Sequence, residues 1–275
     1  MESPDSASDP PIDALRSVFH LRETRRDGDR MLFYGESLVP EQMLIREVWT
    51  AFREAGYEVQ VSTGGAGRTD VVVARPVTDG IDGVPWKNIG LFLATVVSTL
   101  LVGALTWYYI PLSAIRANPL AVLRAWPFTA AVLGVLATHE LGHYALGRYH
   151  GVDVSLPYVI PFVPPFGTLG AIIRMRGQMP DRKVLFDIGV AGPLAGLAAT
   201  IAVTAVGLSL PPVEVPPWAL EGTGQALVFN NPPLLNVIAT LLGEPTEYAD
   251  PALAVNPVII GGWVGMFFTV LNLLP

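Results

Sequence analysis

The sequence predicts a multi-pass α-helical membrane protein with a Pro/Gly-rich re-entrant hairpin, preceded by a small soluble α+β domain of ββαββ type. The first observation is composition: 51% of the 275 residues are apolar, 15% are charged and the mean hydropathy is +0.45, whereas an ordinary soluble domain is about 25% charged. The second is the distribution of charge, since residues 1–87 contain 25 charged side chains and residues 88–275 contain 16. The third is a series of apolar runs after residue 87, each of about 20 residues with at most one charged side chain, the length that a helix needs to cross a bilayer.

The soluble domain is predicted over residues 16–77, after a disordered acidic N-terminus over residues 1–15 and before a linker over residues 78–87. Short apolar runs separated by turn residues favour strands, and a longer run with helical spacing favours a helix. The predicted elements are strands over 17–23 and 31–35 around a turn at 25–29, a helix over 40–55, and a strand pair over 57–63 and 70–75. The glycine-rich stretch 64–67 lacks the spacing of a phosphate-binding loop and is predicted to be a hairpin turn.

The membrane domain is predicted over residues 88–275. Its four predicted spans are residues 89–110, 127–147, 184–208 and 257–275. Trp86 and Trp107 flank the first span, as interfacial aromatic residues do. Gly192 and Gly196 in the third span form a GxxxG pair, which lets another helix approach closely.

The positive-inside rule orients these spans. Residues 211–255 contain no Lys or Arg, whereas five such residues connect spans two and three: Arg148, Arg174, Arg176, Arg182 and Lys183. We therefore expect an integral protein of the cell membrane whose N-terminal domain and second connection lie in the cytoplasm.

Two further apolar segments do not fit simple spans. Residues 154–173 are uncharged but contain four prolines, so a continuous helix is excluded. A re-entrant hairpin buried against protein fits this segment, and an apolar cytoplasmic loop is the alternative. Residues 234–242 are predicted to form a short helix on the membrane surface.

The composition excludes several function classes. The absence of cysteine excludes a disulfide scaffold and a thiolate metal site. A net charge of −7 argues against nucleic acid as a partner, because few cations are available to neutralise phosphates. The chain has only two lysines, and an acidic, lysine-poor soluble part is typical of a high-salt cytoplasm, so we expect a halophilic archaeal source.

The motif that carries chemistry is His139-Glu140-Leu141-Gly142-His143 in the second predicted span. Residues i and i+4 share a helix face, so both imidazoles can bind one metal ion, with Glu140 placed to act as general base. Imidazole ligands beside a carboxylate base favour Zn²⁺, one per chain, and peptide hydrolysis. Buried histidines and a glutamate in an apolar span are costly unless they are paired or bind metal.

Three other titratable residues are candidate ligands with simpler interpretations. Asp187 lies four residues after Lys183, where an ion pair along the helix is favoured over metal binding. His150 is expected at the membrane interface. His20 is expected to be structural within the first strand.

Four motifs together resemble the site-2 protease family of intramembrane zinc metalloproteases. They are His139–His143, Phe166-Gly167-Thr168-Leu169-Gly170-Ala171, Ala191-Gly192-Pro193-Leu194-Ala195-Gly196 and Leu271-Asn272-Leu273-Leu274-Pro275. The resemblance covers residues 86–275 and is closest to the archaeal and chloroplast branch with an N-terminal soluble domain. It implies that the Pro/Gly-rich hairpin lies near the active site and can hold an extended substrate by strand addition.

The resemblance also implies roles for particular residues. Asn272, with Gly167, Thr168 and Gly170, would position the substrate or stabilise the oxyanion, and a helix–helix hydrogen bond is the alternative for Asn272. The third zinc ligand of the family is an aspartate that follows the N-x-x-P sequence, so it is expected beyond Pro275 and the chain is expected to be a fragment.

The expected function is therefore cleavage of transmembrane segments of other membrane proteins by a zinc endopeptidase in contact with membrane lipid. The alternative is a non-proteolytic membrane protein, either a pseudoprotease or a metal transporter. The sequence does not indicate an oligomeric state, a substrate or the role of the N-terminal domain.

Overall fold

The chain forms two compact units in a computed structural model that describes residues 9–62, 69–76, 83–176, 181–220 and 230–273. The first unit contains the N-terminal domain with residues 147–154 and 175–187, and the second contains residues 85–146, 155–174 and 188–275. The predicted turn over 64–67 and most of the predicted linker lie outside the described residues.

The N-terminal domain is a four-stranded antiparallel sheet with the order β1-β2-β4-β3, together with helix α2. Its elements are β1 (Phe19–Asp27), β2 (Arg30–Ser37), α2 (Glu41–Glu54), β3 (Tyr57–Ser62) and β4 (Asp70–Pro76). The core is one cluster in which buried residues of α2 meet the sheet, and Phe52 packs edge-on against Phe33 with ring centroids 6.3 Å apart. The α2 residues Leu44 and Val48 are also fully buried, as their helical spacing predicts.

Two details of this domain differ from the prediction. A short helix, α1 (Ile12–Arg16), occupies residues that were expected to be disordered, because Leu15 is fully buried in the core cluster. Strand β1 continues to Asp27, beyond the start of the predicted turn. The turn itself is shorter because Gly28 adopts φ +64°, a conformation that glycine takes without steric cost.

Three helices are long and apolar enough to cross a membrane, judged by length and composition. The first runs over Trp86–Trp107, with α3 (Trp86–Val102) continued by a π-helical turn over Gly103–Trp107. The second runs over Pro119–Tyr149, with 3₁₀ turns over Pro119–Ala125 followed by α5 (Trp126–Tyr149). The third is α6 (Arg182–Ser209).

The fourth predicted span corresponds to a shorter apolar helix, numbered α9 below, with bounds Val258–Leu273. The remaining elements are α4 (Leu112–Ala117), α7 (Pro217–Leu220), α8 (Pro233–Leu242), and the short strand pairs β5 (Asp153–Val154) with β8 (Met175–Arg176) and β9 (Val213–Glu214) with β10 (Leu253–Ala254). Helix α8 occupies the segment predicted as a short surface helix.

The Pro/Gly-rich segment forms an antiparallel hairpin of β6 (Tyr158–Pro161) and β7 (Thr168–Ile172) that packs on α3. Side chains of α3 satisfy backbone groups of the hairpin. The Asn88 amide donates to the carbonyls of Leu156 and Pro157 at 3.0 and 2.9 Å, and the Ser98 hydroxyl donates to the Gly167 carbonyl at 2.7 Å. Strand β6 packs along α3, and the Thr95 hydroxyl of α3 lies 3.2 Å from the Val159 carbonyl of β6, whereas β7 pairs only with β6 among the described strands.

Helices α5, α6 and α9 pack closely through glycine. A Cβ atom at Gly262 would overlap the hydroxyl of Thr204, and a Cβ atom at Gly265 would overlap the hydroxyl of Thr200. A Cβ atom at Gly261 would lie 2.6 Å from the Cβ atom of Ala131 on α5. Only glycine permits this separation, as is common where helices associate in membranes.

Candidate active site

Helix α5 brings His139 and His143 to one face, where their Nε2 atoms lie 3.3 Å apart. The ring centroids are 5.0 Å apart and the ring planes are inclined by 65°. In a tetrahedral zinc site with bonds of about 2.0–2.1 Å, two nitrogen ligands are separated by about 3.3–3.4 Å. The two Nε2 atoms are therefore already at the distance that one zinc ion requires.

The free electron pair of His143 is on Nε2, because its other ring nitrogen is engaged. The Nδ1 atom lies 2.7 Å from the carbonyl oxygen of Ile188 on α6, and a carbonyl can only accept, so Nδ1 carries the hydrogen. Pro193 of α6 has no backbone N–H. The carbonyl of Gly189, the residue after Ile188, therefore lacks its usual donor within the helix. A backbone carbonyl holding the outer nitrogen of a ligating histidine is a common arrangement at metal sites.

Glu140 and His139 are both buried, with 6% and 4% of their surfaces exposed. A carboxyl group at this depth is costly unless it serves a function or a partner stabilises it. Glu140 follows His139 directly in the sequence. The site therefore combines two imidazole side chains, which can bind a metal ion, with one buried carboxyl group, which can act as an acid or a base.

Helix α6 packs against both histidines through two glycines. A Cβ atom at Gly192 would overlap the His143 ring, and one at Gly196 would lie 2.6 Å from the Nδ1 atom of His139. Gly142 on α5 makes the reciprocal approach, since a Cβ there would lie 2.6 Å from the Ala191 carbonyl. The imidazoles thus lie in a slot that exists because these positions have no side chain.

The donor set fits zinc but is incomplete within the described residues. No group of three or more His, Cys, Asp or Glu side chains lies close enough to hold a metal ion there. A catalytic zinc takes three protein ligands and a water. His139 and His143 could supply two of these ligands, and their Nε2 atoms have the spacing that such a pair requires.

The side chains of Asn272 and Thr168 form hydrogen bonds with nearby backbone. The Asn272 amide donates to the Phe268 carbonyl of its own helix at 3.1 Å. The Thr168 hydroxyl donates to the Ile160 carbonyl at 2.9 Å and accepts from the Gly170 N–H at 3.0 Å. Both side chains are engaged with nearby backbone rather than with the histidines.

The two glycines of the hairpin have packing roles. Gly167 adopts φ +80°, and a Cβ atom there would lie 2.6 Å from the Thr99 Cα atom. A Cβ atom at Gly170 would lie 2.9 Å from the ring of Phe268 on α9. These residues seat the hairpin between α3 and α9.

Asp187 lies beside His150 and does not form the expected ion pair with Lys183. The Asp187 carboxylate lies 3.2 Å from the Nε2 atom of His150, which follows the last residue of α5. Both residues are in the first unit, where the C-terminal end of α5 meets the start of α6. His20 is an exposed residue of β1.

An apolar cavity of about 300 Å³ adjoins the motif. It is bounded by α3, α5 and the β6–β7 hairpin, through Phe92, Leu93, Ala137, Leu141, Val159 and Ala171. Leu141 follows Glu140 directly. The wall of the cavity therefore includes the helix that carries His139 and His143 and the hairpin that the resemblance places beside them.

Comparison with known families decides the relationship. The model of peptidase family M50 matches residues 127–275, more than half of the chain. The chain belongs to peptidase family M50. This confirms the resemblance to the site-2 protease family, and the matched region begins at α5 and includes the histidine pair.

The M50 chain is similar to curated plant proteins over part of their length. It is 36% identical over 154 residues to "Probable zinc metalloprotease EGY1, chloroplastic" of Arabidopsis thaliana, covering 55% of this chain and 27% of that protein. It is 35% identical over 162 residues to the protein of the same name from Oryza sativa subsp. japonica, covering 55% and 26%. The identity to "Probable zinc metalloprotease EGY2, chloroplastic" of Arabidopsis thaliana is 32% over 147 residues, covering 54% and 25%.

The M50 chain thus spans about a quarter of the length of these curated relatives. No solved structure matches it significantly.

Sequence reasoning on the M50 chain missed two features of the site. Gly192 and Gly196 were predicted to admit a neighbouring helix, but not to contact the histidine rings. The signal was present, since a GxxxG pair follows the HExxH motif in the next span. The Ile188 carbonyl was not predicted, because a backbone acceptor leaves no trace in residue type.

Proposed function

We propose that this M50 protein is an intramembrane zinc endopeptidase that cleaves transmembrane segments of other membrane proteins. The observation that carries the proposal is the pair of Nε2 atoms 3.3 Å apart beside the buried Glu140. These residues lie on a helix long and apolar enough to cross a membrane. Family membership and the names of the relatives support zinc and peptide hydrolysis.

His139 and His143 would hold the zinc, and the third protein ligand is expected to be an aspartate outside the described residues. Zinc in such a site acts as a Lewis acid and lowers the pKa of a water to about 7. Glu140 takes a proton from the attacking water as general base and delivers it to the leaving amine as general acid. The Ile188 carbonyl keeps the His143 ring in one tautomer and orientation throughout.

The β6–β7 hairpin is proposed to be re-entrant and to bind the substrate. Backbone polar groups at membrane depth must be satisfied by protein, and Asn88 and Ser98 of α3 satisfy hairpin carbonyls here. The outer edge of β7 has no strand partner among the described residues, so an unwound substrate can pair with it.

The protein is proposed to lie in the cell membrane as a multi-pass protein with its N-terminal domain in the cytoplasm. The supporting observation is the asymmetry of Lys and Arg between the connections.

The test is cleavage of a membrane-inserted reporter. The protein is reconstituted in liposomes with Zn²⁺ and a reporter whose single transmembrane segment contains Gly and Pro, which ease local unwinding. We expect cleavage inside that segment, located by product mass, and a loss of at least about 1,000-fold in Glu140→Gln because the general base is removed.

Glu244→Gln is the matched control, since Glu244 is exposed and distant in sequence from the motif. It should cleave as the unmodified protein does. Cleavage that persists in Glu140→Gln contradicts the proposal. Stoichiometric zinc binding without cleavage favours the non-proteolytic alternative.

A further inference from the structure

A second cavity, of about 750 Å³, lies in the first unit between the N-terminal half of α2 and the start of α6. Its volume is within the range of about 300–1,000 Å³ that is typical of small-molecule sites. Its lining includes Pro40, Met43, Ile45, Arg46, Arg182 and Lys183. Nothing in the proposed peptidase mechanism uses these residues.

Three cations converge on this cavity. Arg46 comes from α2, whereas Arg182 and Lys183 are the first two residues of α6, and all three are exposed. None of the three forms an ion pair with another residue in the part of the chain that the structure describes. Their charges are therefore available to a bound anion.

The one acidic residue in the lining is already engaged. Asp181 accepts a hydrogen bond from the backbone N–H of Val184 at 2.8 Å and so caps the start of α6. Three cations against one acid leave the cavity with a net positive charge. The chemistry of the lining thus favours a phosphate-bearing ligand over a cation.

The cavity also has an apolar side. Met43 and Leu185, which both line it, are 49% and 52% exposed. A ligand that is only a small hydrophilic anion would leave these side chains in contact with water. Cations beside exposed apolar side chains suit an amphiphile with an anionic headgroup.

The position of the cations along α6 identifies the kind of amphiphile. After Lys183, the rest of α6 contains one charged residue, Asp187. Helix α6 is long and apolar enough to cross a membrane, so Arg182 and Lys183 mark the level at which phospholipid headgroups lie.

We propose that this cationic cavity binds the phosphate of an anionic phospholipid, with its glycerol and acyl region against Met43 and Leu185. The proposal requires α6 to cross a membrane but does not depend on peptidase activity. Because α2 belongs to the N-terminal domain and α6 carries the glycines of the histidine slot, a lipid held by both would link that domain to the helix beside the active site.

The test measures lipid binding to the full chain in detergent. The protein carries Glu140→Gln so that peptidase activity plays no part, and it is titrated with phosphatidylglycerol or phosphatidylcholine and analysed by native mass spectrometry. We expect phosphatidylglycerol to be retained at least about tenfold more strongly. The triple variant Arg46→Gln, Arg182→Gln, Lys183→Gln should lose this preference.

The matched control removes three exposed cations from the β1–β2 hairpin: Arg25→Gln, Arg26→Gln and Arg30→Gln. It changes the net charge equally and should keep the preference. Single variants Arg46→Gln and Lys183→Gln, each expected to lose part of it, replace the triple variant if that does not fold.

Three outcomes would overturn the proposal. In the first, the cavity variants bind phosphatidylglycerol as strongly as the parent does. In the second, the control triple variant loses the preference for phosphatidylglycerol as fully as the cavity triple variant does, which indicates a diffuse charge effect. In the third, 10 mM inorganic phosphate raises the thermal stability of the lipid-free parent but not of the cavity variants, while the parent binds phosphatidylglycerol and phosphatidylcholine equally, which identifies a soluble phosphate as the ligand.

Discussion

The Nδ1 atom of His143 lies 2.7 Å from the carbonyl oxygen of Ile188, and this contact aims the opposite nitrogen at His139. A backbone carbonyl on α6 therefore sets the tautomer of a side chain on α5. The arrangement fixes the ring before any metal binds, so little reorganisation is needed to complete the pair of nitrogen ligands.

Substitution of His143 tests this ligand assignment. We expect His143→Ala to lower zinc affinity at least about 100-fold, since it removes one of two imidazole ligands. The measurement is zinc per chain by mass spectrometry after dialysis against a graded zinc buffer. His150→Ala is the control, because His150 pairs with Asp187 and not with His139. Equal zinc loss in the two variants would mean that His143 is not a ligand.

Gly192 tests the slot that holds the histidines. A methyl group there would overlap the His143 ring, whereas Gly189 on the same helix has open space within 4 Å. We expect Gly192→Ala to lose most bound zinc and to destabilise the fold by about 1–3 kcal/mol through overpacking. Gly189→Ala should keep its zinc. Full zinc occupancy in Gly192→Ala would show that the slot is wider than described.

Leu93 tests the apolar cavity beside the motif as part of the substrate path. We expect Leu93→Trp to fill this space and to lower kcat/KM for a transmembrane reporter about tenfold, with zinc content unchanged. Val97→Trp is matched, because Val97 is on the same helix, is 56% exposed against 57% for Leu93, and does not line the cavity. Equal activity in the two variants would remove the cavity from the path.

Thr168 separates a structural role from a role in substrate positioning. Its hydroxyl bonds to the Ile160 carbonyl and the Gly170 N–H, so Thr168→Val should lower the free energy of unfolding by about 1–3 kcal/mol. Zinc binding should not change. Thr240→Val is the control, since Thr240 is exposed and its hydroxyl bonds to a backbone carbonyl of its own helix. A fall in kcat with unchanged stability would instead favour direct substrate positioning.

The sequence predicts the parts of this protein that depend on local pattern. Spacing of i and i+4 places His139 and His143 on one face, and helical spacing predicts α2 closely. The length of the apolar, sparsely charged runs predicts the three long helices, because membrane thickness sets that length. The N-terminal sheet follows from short apolar runs bounded by turn residues.

What the sequence does not predict depends on tertiary contact. Asp187 has Lys183 four residues before it, yet its partner is His150, which becomes a neighbour only when the end of α5 meets the start of α6. Leu15 belongs to a terminal segment that is predicted to be disordered from its polar composition. In the structure its side chain is fully buried in the core, and the residues around it form helix α1. In both cases a distant segment, not the local pattern, selects the outcome.

The family match begins at residue 127. The β6–β7 hairpin lies within the matched region, but residues before 127 form hydrogen bonds to it. Asn88 and Ser98 bond its carbonyls, and the Trp107 indole donates to the Pro165 carbonyl at 2.8 Å. In a protein shortened to the matched region, those carbonyls would have no hydrogen-bond donor from α3 or Trp107 in an apolar environment. A shortened protein for biochemical work should therefore begin before Trp86.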